Sequence, residues 1–408
     1  MPTISVIIPC YNQGRFLKFA IDSVIAQTFE EWEVIIVNDG STDDTAQVVA
    51  GYDDARVRYV YQENRGLSAA RNTGLRESHS EYVAFLDADD AWTPSFLQHS
   101  LLPMLNDQRP GMVYSRYRFL DDRGNLQSQI GGEALESNQF RRVIRRGGFF
   151  PPNCALVRRS AIDKVGCFKS LPTGAEDWDL WLRIAEEFPV VGLEDPLAYY
   201  RIYPGSMSTN GLRMQTSRFA VLAEHFGPPD GPPGLWPEAK REAYACGYRS
   251  CACEFLQQND PDTAWELLSE GARIWPPLLS EIETYYEFVL GDQQKGQRGR
   301  ADLLDLPARE KDVISRLDDL FVGEADDKVK SQRRVVHARA YLALAMLADQ
   351  AGDWAAARGY LRKAVRLDPL LCVRPEIMRR FAKLHAGQRF VRRWKAGKPA
   401  DRAVPRGG

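Results

Sequence analysis

The sequence predicts a doubly wound α/β sheet followed by an all-helical region, and three observations carry that expectation. Short apolar runs alternate with helix-period segments four times between Ile4 and Asp90, the signature of strand–helix–strand units on a mostly parallel sheet. The last of these runs, Tyr82-Val83-Ala84-Phe85-Leu86, ends abruptly in Asp87, Asp89 and Asp90. Beyond the proline- and glycine-rich residues 225–234 the strand signal disappears, and small residues recur at helical spacing.

The totals bound the rest. A chain of 408 residues is too long for one ordinary core, so two or three domains are expected. A formal net charge of −2 excludes a globally basic nucleic-acid binder. No apolar window of about twenty residues predicts a membrane span. Met1-Pro2-Thr3-Ile4-Ser5 lacks the basic start and apolar core of a signal peptide. Seven cysteines, scattered from Cys10 to Cys372, make no disulfide framework. Cys251-Ala252-Cys253 is too tight for a zinc pair and reads as small core residues of a helix. A reducing cytoplasm fits this usage.

Ile4-Ser5-Val6-Ile7-Ile8 reads as a central strand that stops at the turn cluster Pro9-Cys10-Tyr11-Asn12-Gln13-Gly14. A helix over 15–27 follows, with Phe16, Phe19, Ala20, Ser23 and Val24 on one face. A second strand, 33–37, ends at Asn38-Asp39-Gly40-Ser41-Thr42, where Ser41 or Thr42 can cap the next helix. A third strand, 57–61, leads into a glycine turn, Asn64-Arg65-Gly66, and a helix carrying Arg71. The fourth strand is 82–86.

Each strand delivers a polar loop to the same edge, where ligands of open α/β sheets bind. Three carboxylates in four positions repel one another unless a cation sits among them. Their hard oxygens suit Mg²⁺ or Mn²⁺; the plainer reading is an acidic turn before a helix. Tyr11 offers a ring for base stacking or covers the sheet edge. Asp39 can accept a ring N–H, such as that of uracil, or serve as a helix-start acid. Arg71 can neutralise a phosphate or the acidic cluster, or form a surface ion pair.

Four motifs together resemble glycosyltransferase family 2, with the GT-A fold: Pro9-Cys10-Tyr11-Asn12, then Val37-Asn38-Asp39-Gly40-Ser41-Thr42-Asp43, then Asn64-Arg65-Gly66-Leu67-Ser68-Ala69-Ala70-Arg71-Asn72, then Leu86-Asp87-Ala88-Asp89-Asp90. The resemblance covers roughly residues 1–210. It implies an inverting transferase that uses a nucleotide-diphosphate sugar, UDP-linked by preference, and a divalent metal. Pro9, Tyr11, Asn12, Asp39, Arg71, Asp87, Ala88 and Asp89 would then contact the nucleotide sugar, Asp39 at the base and Asp87 near the ribose. Asp89, with Asp87, would hold the metal, and Asp90 would support them.

Further on, a helix is expected over 94–105 and a strand over 112–120, closed by the turn Asp121-Asp122-Arg123-Gly124-Asn125. Residues 130–146 read as a loop and short helix over the site. Phe149-Phe150-Pro151-Pro152-Asn153 lines a sugar or acceptor pocket or packs the sheet edge. In Ala175-Glu176-Asp177-Trp178-Asp179 two acids open a helix, and Asp177 shares a side with Leu180 and Trp181. Glycosyl transfer needs one base to take the acceptor hydroxyl's proton, opposite a leaving diphosphate that a metal neutralises, so inversion follows. The Glu-Asp pair resembles the family's base position, with Asp177 as the base and Glu176 and Trp178 in support. An acidic helix start is the alternative. None of the five histidines falls in a motif. Tyr199-Tyr200-Arg201-Ile202-Tyr203 resembles the stretch that closes the family's catalytic domain. Many relatives have a histidine where this chain has Tyr203, which puts a metal or diphosphate contact there in doubt. Arg201 either touches the diphosphate or pairs with an acid.

The expected organisation is a catalytic domain over 1–226, a linker over 227–237, a helical domain over 238–385 and a basic tail over 386–408. Residues 338–369, and more weakly 243–276, look like tetratricopeptide repeats, which bind a protein partner or pack onto the catalytic domain. Residues 374–408 hold eleven Lys and Arg against Glu376 and Asp401. That run is a solvated tail or a docking segment for anionic lipid at the inner face of the membrane. The reading is a cytoplasmic glycosyltransferase acting on a glycan or lipid-linked acceptor in surface polysaccharide or glycoconjugate assembly. A sugar-nucleotidyltransferase and a non-catalytic repeat scaffold are the rivals. Asp39, Asp87, Asp89, Asp90 and Asp177 are all present, which disfavours a disabled site.

Overall fold

The computed structural model describes residues 2–147, 150–171, 174–322, 332–375 and 377. Two compact units emerge, Met1–Trp275 with Asp292–Arg298, and Pro276–Gly291 with Gly299–Gly408.

The first unit is built on a sheet whose opening strands are β1 (Ile4–Cys10), β2 (Trp32–Asp39), β3 (Val57–Gln62) and β4 (Tyr82–Phe85). They lie in the order β3-β2-β1-β4, all parallel, with Ile7 opposite both Ile35 and Phe85. Every residue of β1 and β4 is buried, as a parallel strand covered on both faces requires. The connections are α1 (Gly14–Ile25), α2 (Thr45–Ala50) and α3 (Leu67–Glu77). The first strand, α1 and β3 fall within two residues of the sequence reading, because apolar periodicity there is unbroken.

Past β4 the sheet changes character. The strands are β5 (Ala91–Trp92), β6 (Met112–Leu120), β7 (Leu126–Gly131), β8 (Ala155–Arg158) and β9 (Val190–Arg201). The order continues β4-β8-β6-β9-β5, with β7 on β6. β8 is antiparallel to both β4 and β6, whereas β6 and β9 run parallel. The sheet is thus parallel through its first four strands and mixed beyond them. Here α4 (Phe96–Asn106), α5 (Ser137–Ile144), α6 (Arg159–Val165) and α7 (Glu176–Glu187) make the connections.

The unit does not stop at the proline- and glycine-rich stretch. α8 (Gly211–Phe226), α9 (Glu238–Gln257) and α10 (Pro261–Ile274) belong to it. α8 holds α9 through the Arg218–Glu254 ion pair at 2.8 Å and the Phe219 and Tyr248 rings at 4.7 Å. Residues 292–298 join it beside β7, where Gln129 N–H donates to the Gly296 carbonyl at 3.1 Å. The compact units therefore part at 275/276, not at 227–237, because packing carries the first unit across the loop.

The second unit holds α11 (Ile282–Leu290), α12 (Leu306–Val322), α13 (Arg333–Gln350) and α14 (Trp354–Leu367). Asp353 caps α14 by accepting from Ala356 N–H at 2.9 Å. A buried Arg339–Asp368 pair at 3.0 Å closes the end of the pair. The helix pairs expected at 243–276 and 338–369 are α9–α10 and α13–α14, which sit in different units. The basic tail over 386–408 lies outside the described residues.

Candidate active site

The loops beyond β1, β2, β3 and β4 converge at the carboxyl edge of the parallel strands. Pro9 is buried within β1 and Tyr11 stands 51% exposed just past it. Asn12 takes a left-handed conformation, φ 54°, which a short polar side chain tolerates. Its Oδ1 accepts from Thr42 N–H at 2.8 Å and its own N–H donates to Ser41 Oγ at 3.0 Å, tying the first two loops together.

Asp39, buried at the end of β2, binds the loop after β3. Its Oδ1 accepts from Gln62 Nε2 at 2.6 Å and Arg65 N–H at 2.9 Å; its Oδ2 accepts from Gly66 N–H at 2.8 Å. Gly40 permits the approach: at φ +76°, a Cβ there would meet Asn64 N at 2.8 Å. Asp39 thus shapes the loop, and one lone-pair direction of Oδ2 remains for a ligand.

The end of β4 is aligned by Leu86 N–H on the Ile7 carbonyl, 3.0 Å. Ala88 is buried beneath the turn, and the three acids leave in three directions. Asp87 Oδ1 accepts from Arg71 Nη2 at 2.5 Å. Asp89 Oδ2 accepts from the Tyr203 hydroxyl at 3.0 Å. Asp90 is fully buried, with Oδ1 on Arg201 N–H at 2.8 Å and Oδ2 unpartnered among the described residues. Burial, reinforced by the charge of Asp87, pushes Asp89 up to about 6. Burial and the neighbouring acids push Asp90 well above the ordinary carboxylate value.

Arg71 joins this cluster to the start of α7. It is 1% exposed, donates Nη2 to Asp87 and Nη1 to Glu176, and lies 5.4 Å from the Phe168 ring. Burial opposes its charge, but the two carboxylates outweigh burial and hold it protonated. Of the roles open to Arg71, the structure has it neutralising acids. Ala175, left-handed at φ 62°, turns the chain into α7. Glu176 is buried on Arg71. Asp177 is partly buried and, among the described residues, takes only the adjacent Trp178 N–H, at 2.8 Å. Burial and the charge of Glu176 push Asp177 up to about 7, against the lowering pull of Arg71.

The structure brings Arg71, Asp87, Asp89, Asp90, Glu176 and Asp177 into one connected group. Trp178 and Arg201 stand behind it. The Trp178 indole N–H is held by the Ile144 carbonyl at 2.7 Å. The Arg201 guanidinium donates to the carbonyls of Asp89, at 2.8 Å, and Asp121, at 2.9 Å. Arg201 therefore braces the acidic turn. Sequence reasoning missed Gln13 and Gln62, single amides whose partners are distant in the chain, and Phe168, whose ring faces Arg71 from a loop.

The donor set suits a hard divalent cation. Asp87 Oδ2 and Asp89 Oδ1 take no hydrogen bond among the described residues, and the repulsion that raises Asp89 is what a cation relieves. No group of three His, Cys, Asp or Glu forms a closed cage among the described residues. An open site, completed by ligand oxygens, fits that arrangement.

The loops at the ends of the parallel strands gather carboxylates at the edge of an α/β sheet where ligands of such sheets bind. Residues 5–166 match the model of the glycosyl transferase family 2, and this segment is a domain of that family. An uncharacterized glycosyltransferase of Rickettsia conorii is 34% identical over 197 residues, 46% of this chain and 32% of that protein. One from Nostoc is 33% identical over 214 residues, 49% of this chain and 65% of that protein. The chain spans about a third of the length of the first Rickettsia relatives it matches. Among solved structures, S. aureus TarS 1–349 in complex with UDP-GlcNAc is 19% identical, with a TM-score of 0.45 over 90% of this chain and 92% of that one. The Pyrobaculum calidifontis mannosyltransferase PcManGT, with GDP-Man and Mn²⁺, is 19% identical at a TM-score of 0.49, covering 89% and 86%.

Proposed function

We propose that this protein is an inverting glycosyltransferase that moves a sugar from a nucleotide-diphosphate donor, UDP-linked by preference, to an acceptor hydroxyl. The observation that carries the reading is the Arg71 bridge. It joins Asp87, at the end of β4, to Glu176, beside a carboxyl held near neutrality at Asp177. Donor-side and acceptor-side acids thus share one buried cation.

In this reading the base contacts Tyr11 and the free lone pair of Asp39. Asp89 and Asp87 would hold Mn²⁺ or Mg²⁺, which when bound neutralises charge on the leaving diphosphate. Asp177 accepts the acceptor hydroxyl's proton as that oxygen attacks the anomeric carbon from the face opposite the diphosphate, so configuration inverts. A carboxyl near 7 suits this task, since the best general base titrates near working pH. The acceptor is assigned as a glycan or lipid-linked sugar of surface polysaccharide assembly, on the family resemblance. None of the seven cysteines is disulfide-bonded and no described helix is long and apolar enough to cross a membrane; a cytoplasmic site of action, at or near the membrane face, agrees with both. The helical second unit is proposed as a surface for a protein partner.

The test is calorimetry of the full chain with UDP, with and without Mn²⁺. Wild type should bind UDP more tightly with the metal, and Asp89→Ala should lose that gain while remaining folded. Equal Mn²⁺ dependence in both proteins would sink the metal assignment.

A further inference from the structure

The last residue of β9 and the segment just past it grip the acidic turn at three points. Arg201 N–H donates to Asp90 Oδ1 at 2.8 Å and Arg201 Nε to the Asp89 carbonyl at 2.8 Å. Two residues on, the Tyr203 hydroxyl donates to Asp89 Oδ2 at 3.0 Å. The first two bonds fix the turn. The third fixes the carboxylate itself.

That hydroxyl is itself held. Gln13 Nε2 donates to the Tyr203 oxygen at 2.8 Å. The direction of the chain follows from the donor inventory: an ionised carboxylate only accepts, so tyrosine must donate to it, and its lone pair then needs a donor. Reversing the amide would set Gln13 Oε1 against an oxygen whose proton is already committed. Gln13 Oε1 is left buried without a partner among the described residues, which agrees with the amide being oriented by Tyr203. The ring is fixed as well. Tyr203 is 9% exposed, its ring centroid lies 5.2 Å from that of Phe16, and the Arg15 guanidinium lies 5.1 Å from its ring.

Gln13 precedes the first turn of α1 and follows Tyr11 and Asn12. A single tyrosine therefore connects the loop after β1 with the carboxylate after β4, through two hydrogen bonds and a packed ring.

We infer that Tyr203 is a positioning residue for Asp89: it takes one lone-pair direction of Oδ2 and restrains the carboxylate so that Oδ1 is turned toward a divalent cation, and Gln13 acts through it. The inference rests on the proposed metal-dependent donor site. A hydrogen bond to one oxygen of a ligating carboxylate restrains its rotation and favours coordination by the other oxygen, the way outer partners commonly tune a metal site. In the absence of metal, the nucleotide keeps its contacts with the β1 and β2 loops, so the effect falls on the cation.

The experiment measures Mn²⁺ binding to the full chain at saturating UDP, and UDP binding without metal, both by calorimetry. Tyr203→Phe keeps the ring and its packing on Phe16 but removes the hydroxyl. It should weaken Mn²⁺ by roughly 10- to 100-fold and leave metal-free UDP affinity within about twofold. Gln13→Leu should weaken Mn²⁺ in the same direction by less, and adding it to Tyr203→Phe should cost nothing more, because it acts through the lost hydroxyl. Unchanged Mn²⁺ affinity in a folded Tyr203→Phe overturns the inference while the proposed function stands. Equal losses of metal and metal-free nucleotide affinity also overturn it, since they mark a merely structural role. Absence of Mn²⁺-dependent UDP binding in wild type overturns both. If Tyr203→Phe does not fold, Gln13→Leu decides: full Mn²⁺ affinity there overturns the inference.

Discussion

Two acid-rich stretches meet at Arg71, and they are built on opposite plans. Asp87, Asp89 and Asp90 leave the end of a strand, while Glu176, Asp177 and Asp179 open a helix. The turn after β4 sends its acids to three partners: Arg71, Tyr203 and Arg201 N–H. The helix sends Glu176 inward to Arg71 and Asp179 to Arg183 at 2.7 Å and His225 at 2.9 Å. Among the described residues Asp177 receives only a backbone N–H from its own helix. The pulls on the carboxyls differ accordingly. Hydrogen bonds from His225 and Arg183, with the charges of Arg183 and Lys169, outweigh burial and hold Asp179 below the usual range. Asp177, two residues earlier, is pushed up to about 7. A carboxylate's partners, rather than its place in an acidic run, decide whether it braces the fold or remains available for proton transfer.

The most damaging way to break the comparison is to remove what the stretches share. Arg71→Met leaves Glu176 buried, and Asp87 partly buried, without their cation. Removing one partner of a buried ion pair costs about 3–5 kcal/mol, so the variant should melt well below wild type and lose UDP binding. A stability loss under about 1 kcal/mol would show that the two acids find other partners and that the bridge is not what joins the stretches.

The next effect separates acids within one stretch. Asp177→Asn should bind UDP and Mn²⁺ as wild type does but turn over about 10²- to 10⁴-fold more slowly. Wild-type turnover should rise with pH through about 7, because the base must be ionised, and that rise should vanish in the variant. Glu176→Gln belongs with Arg71: it takes a charge off the bridge and should lower stability and donor binding. Near-normal turnover in Asp177→Asn removes the base assignment.

Much of this arrangement was legible in the sequence, and the limit has a physical cause. Strands β1, β2 and β4 are buried on both faces and short, so their apolar runs stand out, and their ends carry Asp39, Asp87 and Asp89 at predictable places. β8 is four residues long, β5 two, and β9 contains Pro196 with register shifts against β6, so no period announces them. Antiparallel insertion of β8 beside β4 is a tertiary event. The acid pair of α7 was visible, yet which acid faces Arg71 depends on the left-handed turn at Ala175, which a sequence does not display. Tyr203 was visible in the sequence only as part of the stretch that resembles the close of the family's catalytic domain. Its partners lie 190 and 114 residues away in the chain.

The smallest effect is the one that distinguishes the two acids of α7 by sign. Asp177 has a folded value raised above its unfolded one, so its favourable contribution is complete below the ordinary carboxyl value and is lost as pH rises through about 7. Asp179 has a depressed folded value, so its contribution is present at neutral pH and is lost only as pH falls through that depressed value. Between pH 5 and 8, then, Asp179 is silent and Asp177 erodes stability. Asp89, raised to about 6, erodes it in the same direction but is common to wild type and variant. The melting temperature of Asp177→Asn minus that of wild type, measured in chelator to exclude divalent metal, should therefore become more positive from pH 5 to pH 8. An ordinary helix-start acid makes a different forecast: it is already ionised at pH 5, where it stabilises the positive end of the helix, so replacing it should cost the same at pH 5 and at pH 8. A difference that stays flat from pH 5 to pH 8, or falls, would return Asp177 to that role and leave the group at Arg71 without a base.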